Sequence, residues 1–532
     1  MVFNSVHFVV FFAVVYGLYR VLPHRAQNWL LLAASYYFYA AFDWRFLGLL
    51  AGSTLVDFVA ARVIARSDKP GKRRIALGAS LAWNLSVLGF FKYFNFFAEN
   101  VRALFAWAGW RADFVTIEVL LPVGISFYTF ITLGYVIDVY RRQVEPATSL
   151  LHYALFLAYF PHLVAGPILR ASLLLPQIGA MRTVTAAQVR EGLWLILWGY
   201  FKKMVVADNL ARMADEVFRA QADPGGLHVL LGVYAFAFQV YGDFSGYTDI
   251  ARGTSKLMGI ELGVNFRFPY FVRTPAQFWQ HWHISLSAWL RDYVFLPVSY
   301  ALSRRADGIR WLGLKDEFWI YAGASMATML VAGLWHGAAW TFVLWGAFQG
   351  LLLVGYRLPA GYRRPAAGYG LQAAGHGLRA EGAGLRAPAE GPATANETGD
   401  SRRNGQRRRS AGPGRRSTSS WRIAFEVVTM FHLTCLGWLI FRADSLAQAG
   451  DLISRLIVGF SPSWSVLLSF GSRLAFYTAP LIALHALEAR RDDLTAVFSL
   501  PRAVRYSIYA ALVYFIVLFG DFAGAQFIYF QF

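Results

Sequence analysis

A chain of 532 residues that is 57% hydrophobic and 17% aromatic but only 15% charged cannot cover a water-soluble surface, because an average soluble domain is about 25% charged and large apolar patches associate. Its mean hydropathy of +0.41 and net charge of +19 fit a polytopic membrane protein that wears Lys and Arg on cytoplasmic loops, and no aromatic interleaving of the basic runs supports a nucleic-acid partner. The single cysteine, Cys435, excludes a disulfide framework and any CxxC metal or redox site.

In chain order, residues 9–18 are apolar, with no charged stretch before them and no small-residue cleavage site after them. They read as a retained membrane helix. A spanning helix needs about 20 mainly apolar residues. That criterion places segments near 6–22, 28–42, 45–63, 76–98, 116–138, 150–168, 190–208, 227–247, 315–334, 338–356, 423–441, 472–488 and 503–520. With a few of them re-entrant or interfacial, roughly eleven to thirteen cross the membrane. The fold class is all-α, since an open sheet would leave backbone groups unpaired in hydrocarbon. Arg20 and Arg25, then Lys69, Lys72, Arg73 and Arg74, then Arg141 and Arg142 share one side if the N-terminus lies outside the cytoplasm.

Residues 361–420 depart from this pattern. They are Gly, Ala, Pro, Ser and Arg almost without large apolar side chains, and Arg402, Arg403, Arg407, Arg408, Arg409, Arg415 and Arg416 crowd the second half. Low hydrophobicity with like charges predicts disorder, in a solvated cytoplasmic loop near anionic membrane lipid. The chain then divides into a membrane core at 1–357, this loop at 358–421 and C-terminal membrane helices at 422–532. From Arg357 to Arg422 there are 13 arginines against four acidic residues. That one region carries about half of the net charge, so the basicity says little about substrate.

Ionisable groups within spans are costly and are functional candidates by default. Asp243, Asp249 and Arg252 lie along one helical stretch. Asp249 and Arg252, three apart, can pair on one face, whereas Asp243 points about 120° away and requires its own partner. An internal ion pair holding helices together accounts for these residues as readily as contact with substrate. The stretch 274–293 is too polar and aromatic to face lipid and reads as a partly buried or interfacial helix at a cavity mouth, with Trp279, His281, His283, Arg291 and Asp292 on it. On a helix His281 and His283 would point to nearly opposite faces, and no Cys or acidic residue at ligand spacing completes a metal site. In 332–346, His336 follows Trp335 in an apolar, Gly-rich run. A buried neutral imidazole suits a general base, and Gly337 allows close approach of backbone or substrate. A histidine merely hydrogen-bonded between helices fits the local sequence equally well. No G-x-S-x-G elbow, Walker motif or dinucleotide fingerprint is present, and no repeat of broken helices points to a transporter.

Read together, the motifs are LPVGISFYTF at 121–130, IDVY at 137–140, FPHLVAGPI at 160–168, WGYFKK at 198–203, ADN at 207–209, DFSGY at 243–247 and NFRFPY at 265–270. FWQHWHISLS at 278–287, WLRD at 289–292, GLWHG at 333–337, FHLTCLGW at 431–438 and FIYFQF at 527–532 complete the series. In this order the chain resembles the membrane-bound O-acyltransferase family, and within it the branch serving bacterial alginate acetylation, over nearly its whole length outside the Arg-rich stretch. The resemblance implies a helical bundle with a central tunnel in the bacterial inner membrane. It implies two functional histidines, His336 as the catalytic one and His283, with Asp243, Asp249, Arg252, Asn265, Trp279, Arg291, Asp292 and Trp335 shaping the cavity or binding substrate. Acetyl-coenzyme A is the implied cytoplasmic donor, a substrate and not a bound cofactor. A polysaccharide is the implied acceptor, with a separate periplasmic acetyltransferase completing delivery. Peptidoglycan, teichoic acid, lipid or protein acceptors are the alternative, and a transporter or scaffold without chemistry is the alternative of another class. Two departures stand out: Gln349 where many relatives are expected to have histidine, and the length and basicity of the 361–420 stretch.

Overall fold

The computed structural model describes the chain except for residues 111–119, 165, 220–223, 307, 309–312, 362–419, 523–526 and 529–532. Nearly all of the predicted disordered loop lies outside the described residues. The first helices, α1 (Val6–Val21), α2 (His24–Asp43) and α3 (Leu47–Arg66), are joined by tight turns. Asp43 caps the second of these through the backbone N–H of Arg45. Helix α4 (Pro70–Leu88) passes through a π-helical turn, Gly89–Tyr93, into α5 (Phe94–Trp107). Next come α6 (Ile125–Tyr140), α7 (Leu150–Ala158), α8 (Phe160–Leu163), α9 (Ala171–Gly179) and α10 (Ala186–Tyr200). A second π-helical segment, Phe201–Ala207, leads from α10 into α11 (Asp208–Phe218). The 32-residue α12 (Gly226–Leu257) precedes α13 (Pro275–His281), α14 (Ile284–Leu290), the π-helical turn Arg291–Phe295 and α15 (Leu296–Ser303). The chain closes with α16 (Asp316–His336), α17 (Trp340–Gly361), α18 (Ser420–Arg442), α19 (Leu446–Ile457), α20 (Ser472–Arg491) and α21 (Arg502–Phe519).

Among the described residues, eight helical stretches are long and apolar enough to cross a membrane, and the apolar α1 and α6 are shorter. The protein is an all-α, multi-pass membrane protein. Several predicted segments differ in detail. Of the 116–138 segment, residues 116–119 lie outside the described residues, and within 120–138 the helix starts at Ile125, after Gly124 in the left-handed region at φ +73°. The 150–168 segment is not one span: α7 stops at Ala158, and Pro161 opens the separate α8. Every residue of α8 is buried, as befits a helix apolar on all sides. The 190–208 segment continues into α11, and its π-helical part is wholly buried with Lys202 and Lys203 inside. The 274–293 stretch is two helices, broken at Trp282 and at His283, where φ is +42°.

Glycines set the closest helix crossings. A Cβ on Gly199 or Gly246 would lie 2.7 or 2.8 Å from the other's carbonyl oxygen, bringing α10 against the long α12. A Cβ on Gly346 would lie 2.4 Å from the Met329 carbonyl, and one on Gly333 would lie 2.2 Å from that of Phe342, so α16 and α17 meet backbone to backbone. Small residues permit this approach where lipid supplies no hydrophobic drive between helices.

Charge sorts by end of the bundle. Arg73 donates to the Tyr140 carbonyl, Arg141 reaches the Asp292 carbonyl, Tyr19 reaches the Met258 carbonyl, and Lys256 pairs with Glu191. Arg190 lies over Phe498, Arg267 pairs with Asp492, and Arg273 approaches Glu426. These contacts gather the basic turns into one face. At the opposite end Asn100 accepts from Trp340, Arg442 pairs with Asp215, and Arg473 pairs with Glu216. Helix α17 runs from that end to the basic face, and α18 runs back from it.

Candidate active site

His336 is the last residue of α16, three residues past the Gly333 crossing. Its buried ring lies edge-on to Trp335, Trp345 and Phe441, with centroids 4.8, 5.0 and 5.1 Å away. The end of α16, the first turns of α17 and the last turn of α18 therefore wall it in. A cavity of about 60 Å³ borders His336 and Trp335, lined also by Lys92 and by Gly124, Ile125, Ser126 and Phe127 at the start of α6.

A helix end leaves its last carbonyls without partners inside the helix, and two neighbouring residues supply donors here. Tyr93 Oη donates to the Leu334 carbonyl at 2.7 Å. Lys92 Nζ donates to the carbonyls of Trp335 and His336, the latter at 3.1 Å. A cation at a helix C-terminus also complements the helix dipole. No carboxylate pairs with Lys92 among the described residues. Sequence reading passed over Lys92, although a charged residue in the middle of the apolar 76–98 segment is itself a signal. The π-helical turn that aims it at α16 is not legible in the sequence, although such turns frequently mark functional sites.

The second histidine lies on the other side of Trp335, 5.8 Å from it between ring centroids. His283 is fully buried, at 4.6 Å edge-on to Phe244. Burial, which penalises the charged imidazolium, pushes its pKa down to about 3. Its left-handed backbone is uncommon for a residue with a Cβ and is held by its surroundings. Asn265 is the clamp: its carbonyl accepts from Ile284 N–H at 2.9 Å, and its side-chain oxygen accepts from the N–H and hydroxyl of Ser285. His281 is turned elsewhere, onto the Arg267 carbonyl. Trp279 packs edge-on to Trp345 at 5.9 Å and so reaches His336 through one ring.

The charged candidates do not border this cavity. Asp249 pairs with Lys202 at 2.5 Å and with Arg252 at 3.2 Å. Asp243, on its separate face, pairs with Lys203 at 2.8 Å, and its other oxygen accepts from Ile528 N–H at 2.7 Å. Lys203 also holds Asp208 at 2.8 Å. Asp292 takes Arg170 and Arg291, each at 2.7 Å, at the basic face. Gln349 is buried one helix turn beyond Trp345, against Gly437.

Residues 146–359 match the sequence model of the MBOAT, membrane-bound O-acyltransferase family. The "Probable alginate O-acetylase AlgI" of Pseudomonas putida is 41% identical over 357 residues, covering 66% of this chain and 70% of the relative. A peptidoglycan O-acetyltransferase of Helicobacter pylori is 33% identical over 390 residues, 67% of this chain and 70% of its own. A teichoic acid D-alanyltransferase of Streptococcus thermophilus is 32% identical over 238 residues, 44% of this chain and 56% of its own. Both motif histidines fall inside the family match, whereas Lys92 and the Gly124–Phe127 wall of the cavity precede it.

Proposed function

The chain belongs to the membrane-bound O-acyltransferase family, and from that premise we propose that this acyltransferase moves acetyl groups from cytoplasmic acetyl-coenzyme A across the bacterial inner membrane for O-acetylation of an exopolysaccharide such as alginate. The observation that carries this reading is His336, buried in aromatic rings beside a small cavity, at the end of α16 remote from the basic face. With the basic face cytoplasmic by the positive-inside rule, an acetyl group entering from the cytoplasm reaches His336 only near the far ends of the spanning helices. A transfer centre there hands the group to an acceptor outside the cell membrane.

In the proposed reaction an acceptor hydroxyl attacks the thioester carbonyl carbon while His336 takes the hydroxyl proton. The tetrahedral intermediate collapses, the carbon–sulfur bond breaks, and the proton passes from His336 to the departing thiolate. General-base help of this kind contributes about 10²–10⁴-fold. Removing water from such a site strengthens hydrogen bonds to the developing oxyanion. His283 orients the acceptor or donates to that oxyanion, Trp335 separates the two rings, and Asn265 and Lys92 position them. The ion pairs of Asp243, Asp249, Arg252, Arg291 and Asp292 hold the surrounding helices. Donor, polysaccharide acceptor and a periplasmic acetyltransferase partner complete the system.

The identity to a peptidoglycan O-acetyltransferase supports a second reading in which the acceptor is another cell-envelope glycan. The test is His336→Ala in the producing strain and in purified protein. The variant is expected in the membrane at normal abundance, with no acetyl on the surface polymer and no release of labelled acetyl from acetyl-coenzyme A. Unchanged acetylation in that variant overturns the reading. Chemical analysis of the envelope polymers in a deletion strain separates alginate-like acceptors from peptidoglycan.

A further inference from the structure

A second cavity, of about 230 Å³, lies apart from His283 and His336, between α12, α18, α20 and the loop 268–271. Its walls are mostly apolar, with Tyr241, Phe268 and His485 buried in them and Phe271, Val428 and Ile482 at its opening, where they are 39%, 53% and 41% exposed. Three of its walls are helices long and apolar enough to span a membrane, so this opening faces acyl chains. At a bilayer interface Trp and Arg mark the headgroup level. Trp421 is 86% exposed and Arg422 follows it. Val428 is six residues further along α18, about 9 Å deeper at the helical rise.

Helix α20 runs the other way and repeats the order, with Ile482 at the opening and Arg490 about 12 Å nearer the end of its helix. Four arginines thus lie at this end of the elements that form the cavity: Arg267 and Arg273 flank the 268–271 loop, Arg422 is in the first turn of α18 and Arg490 is in the last turn of α20. Glu426, Asp492 and Asp493 share this rim. Glu426 lies between Arg273 and Arg422, 3.7 and 2.9 Å away, while Asp492 holds Arg267 at 2.8 Å. Arg491 turns away onto Ser499, and Glu488 is tied to the wall residue His485 at 2.7 Å, so the rim carries four arginines against Glu426, Asp492 and Asp493.

We propose that this cavity is a binding site for an anionic phospholipid of the leaflet at the basic face, with one acyl chain between α18 and α20 and the phosphate among the rim arginines. An apolar slot capped by cations at one interfacial depth matches the two parts of such a molecule, and basic pockets between spanning helices recognise anionic headgroups. The site is independent of the acyl-transfer reading.

The test uses the full-length protein reconstituted into nanodiscs of equal phosphatidylglycerol and phosphatidylcholine with identical acyl chains, then extracted into detergent. Lipid still bound is identified by native mass spectrometry. Wild-type protein is expected to retain phosphatidylglycerol over phosphatidylcholine. The paired substitution Arg273→Gln with Arg422→Gln lowers that preference by about fivefold per arginine, from the roughly 1 kcal/mol that a basic residue contributes near an anionic surface. Val428→Trp fills the opening and releases both lipids. Ile482→Trp, also at the opening, makes the same test should the first variant fail to fold. Equal retention of the two lipids by wild-type protein overturns the proposal. So does full retention in both tryptophan variants, or a bound glycerol phosphate without acyl chains.

Discussion

Replacing Lys92 by Met separates positioning of His336 from stability of the fold. The change removes the ammonium that donates to the Trp335 and His336 carbonyls and leaves a side chain of similar length. Losing donors to buried carbonyls costs about 1–3 kcal/mol, but burying an ammonium is itself expensive, and an apolar replacement relieves that. The net stability change is therefore expected within about 2 kcal/mol. The end of α16 is no longer held, and a shift of 1 Å in a reacting group costs about 100-fold in rate. The expected result is a kcat about 100-fold lower with KM for acetyl-coenzyme A little changed, measured as release of labelled acetyl by purified protein. Tyr93→Phe is the control: it removes the neutral bond to Leu334 one residue earlier, costing about 1 kcal/mol of stability, with kcat within a few-fold of wild type. A folded Lys92→Met protein with wild-type kcat refutes the argument that the lysine holds His336 in place.

Gly346→Ala places a methyl 2.4 Å from the Met329 carbonyl. The crossing of α16 and α17 must open, with about 1–3 kcal/mol lost from overpacking in a thermal unfolding assay and a parallel loss of acetyl transfer. Lys203→Met leaves Asp208 and Asp243 facing each other without their shared cation. Breaking a buried pair in this way costs about 3–5 kcal/mol, so a sharp fall in membrane-inserted protein is expected, and restoring carboxylate neutrality with Asp243→Asn in the same chain recovers part of it. His283, with its pKa depressed to about 3, binds its proton in the unfolded chain near pH 6.5 but not in the folded one. Stability therefore falls as pH drops from about 6.5 towards 3. His283→Gln flattens that part of the curve in thermal unfolding measured across pH.

Hydropathy and loop charge are long-range averages, and what depends on them was readable. The all-α membrane class, the short link at Asp43 and the common side of Arg20, Lys72 and Arg141 follow from composition within windows of about 20 residues. The helical period also gave the pairing of Asp249 with Arg252 and the separate direction of Asp243. What escaped depends on single backbone angles. The break at His283 rests on one left-handed residue clamped by Asn265, some 20 residues away, and no local pattern announces it. The same break removes the ground on which His281 and His283 were set on opposite faces of one helix. The stop at Ala158 was within reach, since Pro161 marks it, but a continuous apolar run around it masks the punctuation. Lys203 pairs with Asp243 across 40 residues, so only the fold reveals which cation each buried carboxylate meets.

The π-helical turns carry a consequence for the helices that contain them. Among the described residues there are four, and three hold ionisable side chains: Lys92, then Lys202 and Lys203, then Arg291 and Asp292. Each such turn accommodates one residue more than an α-helical turn, so everything beyond it is rotated by about 100° relative to an unbroken helix. A single continuous rod can then show one stripe to its neighbours on the first half and a different stripe on the second. Loss of one residue within Gly89–Tyr93 would leave length, hydropathy and helicity almost untouched. It would also swing Lys92 away from α16, so the register of one turn, and not the presence of a lysine, decides whether the end of that helix is held.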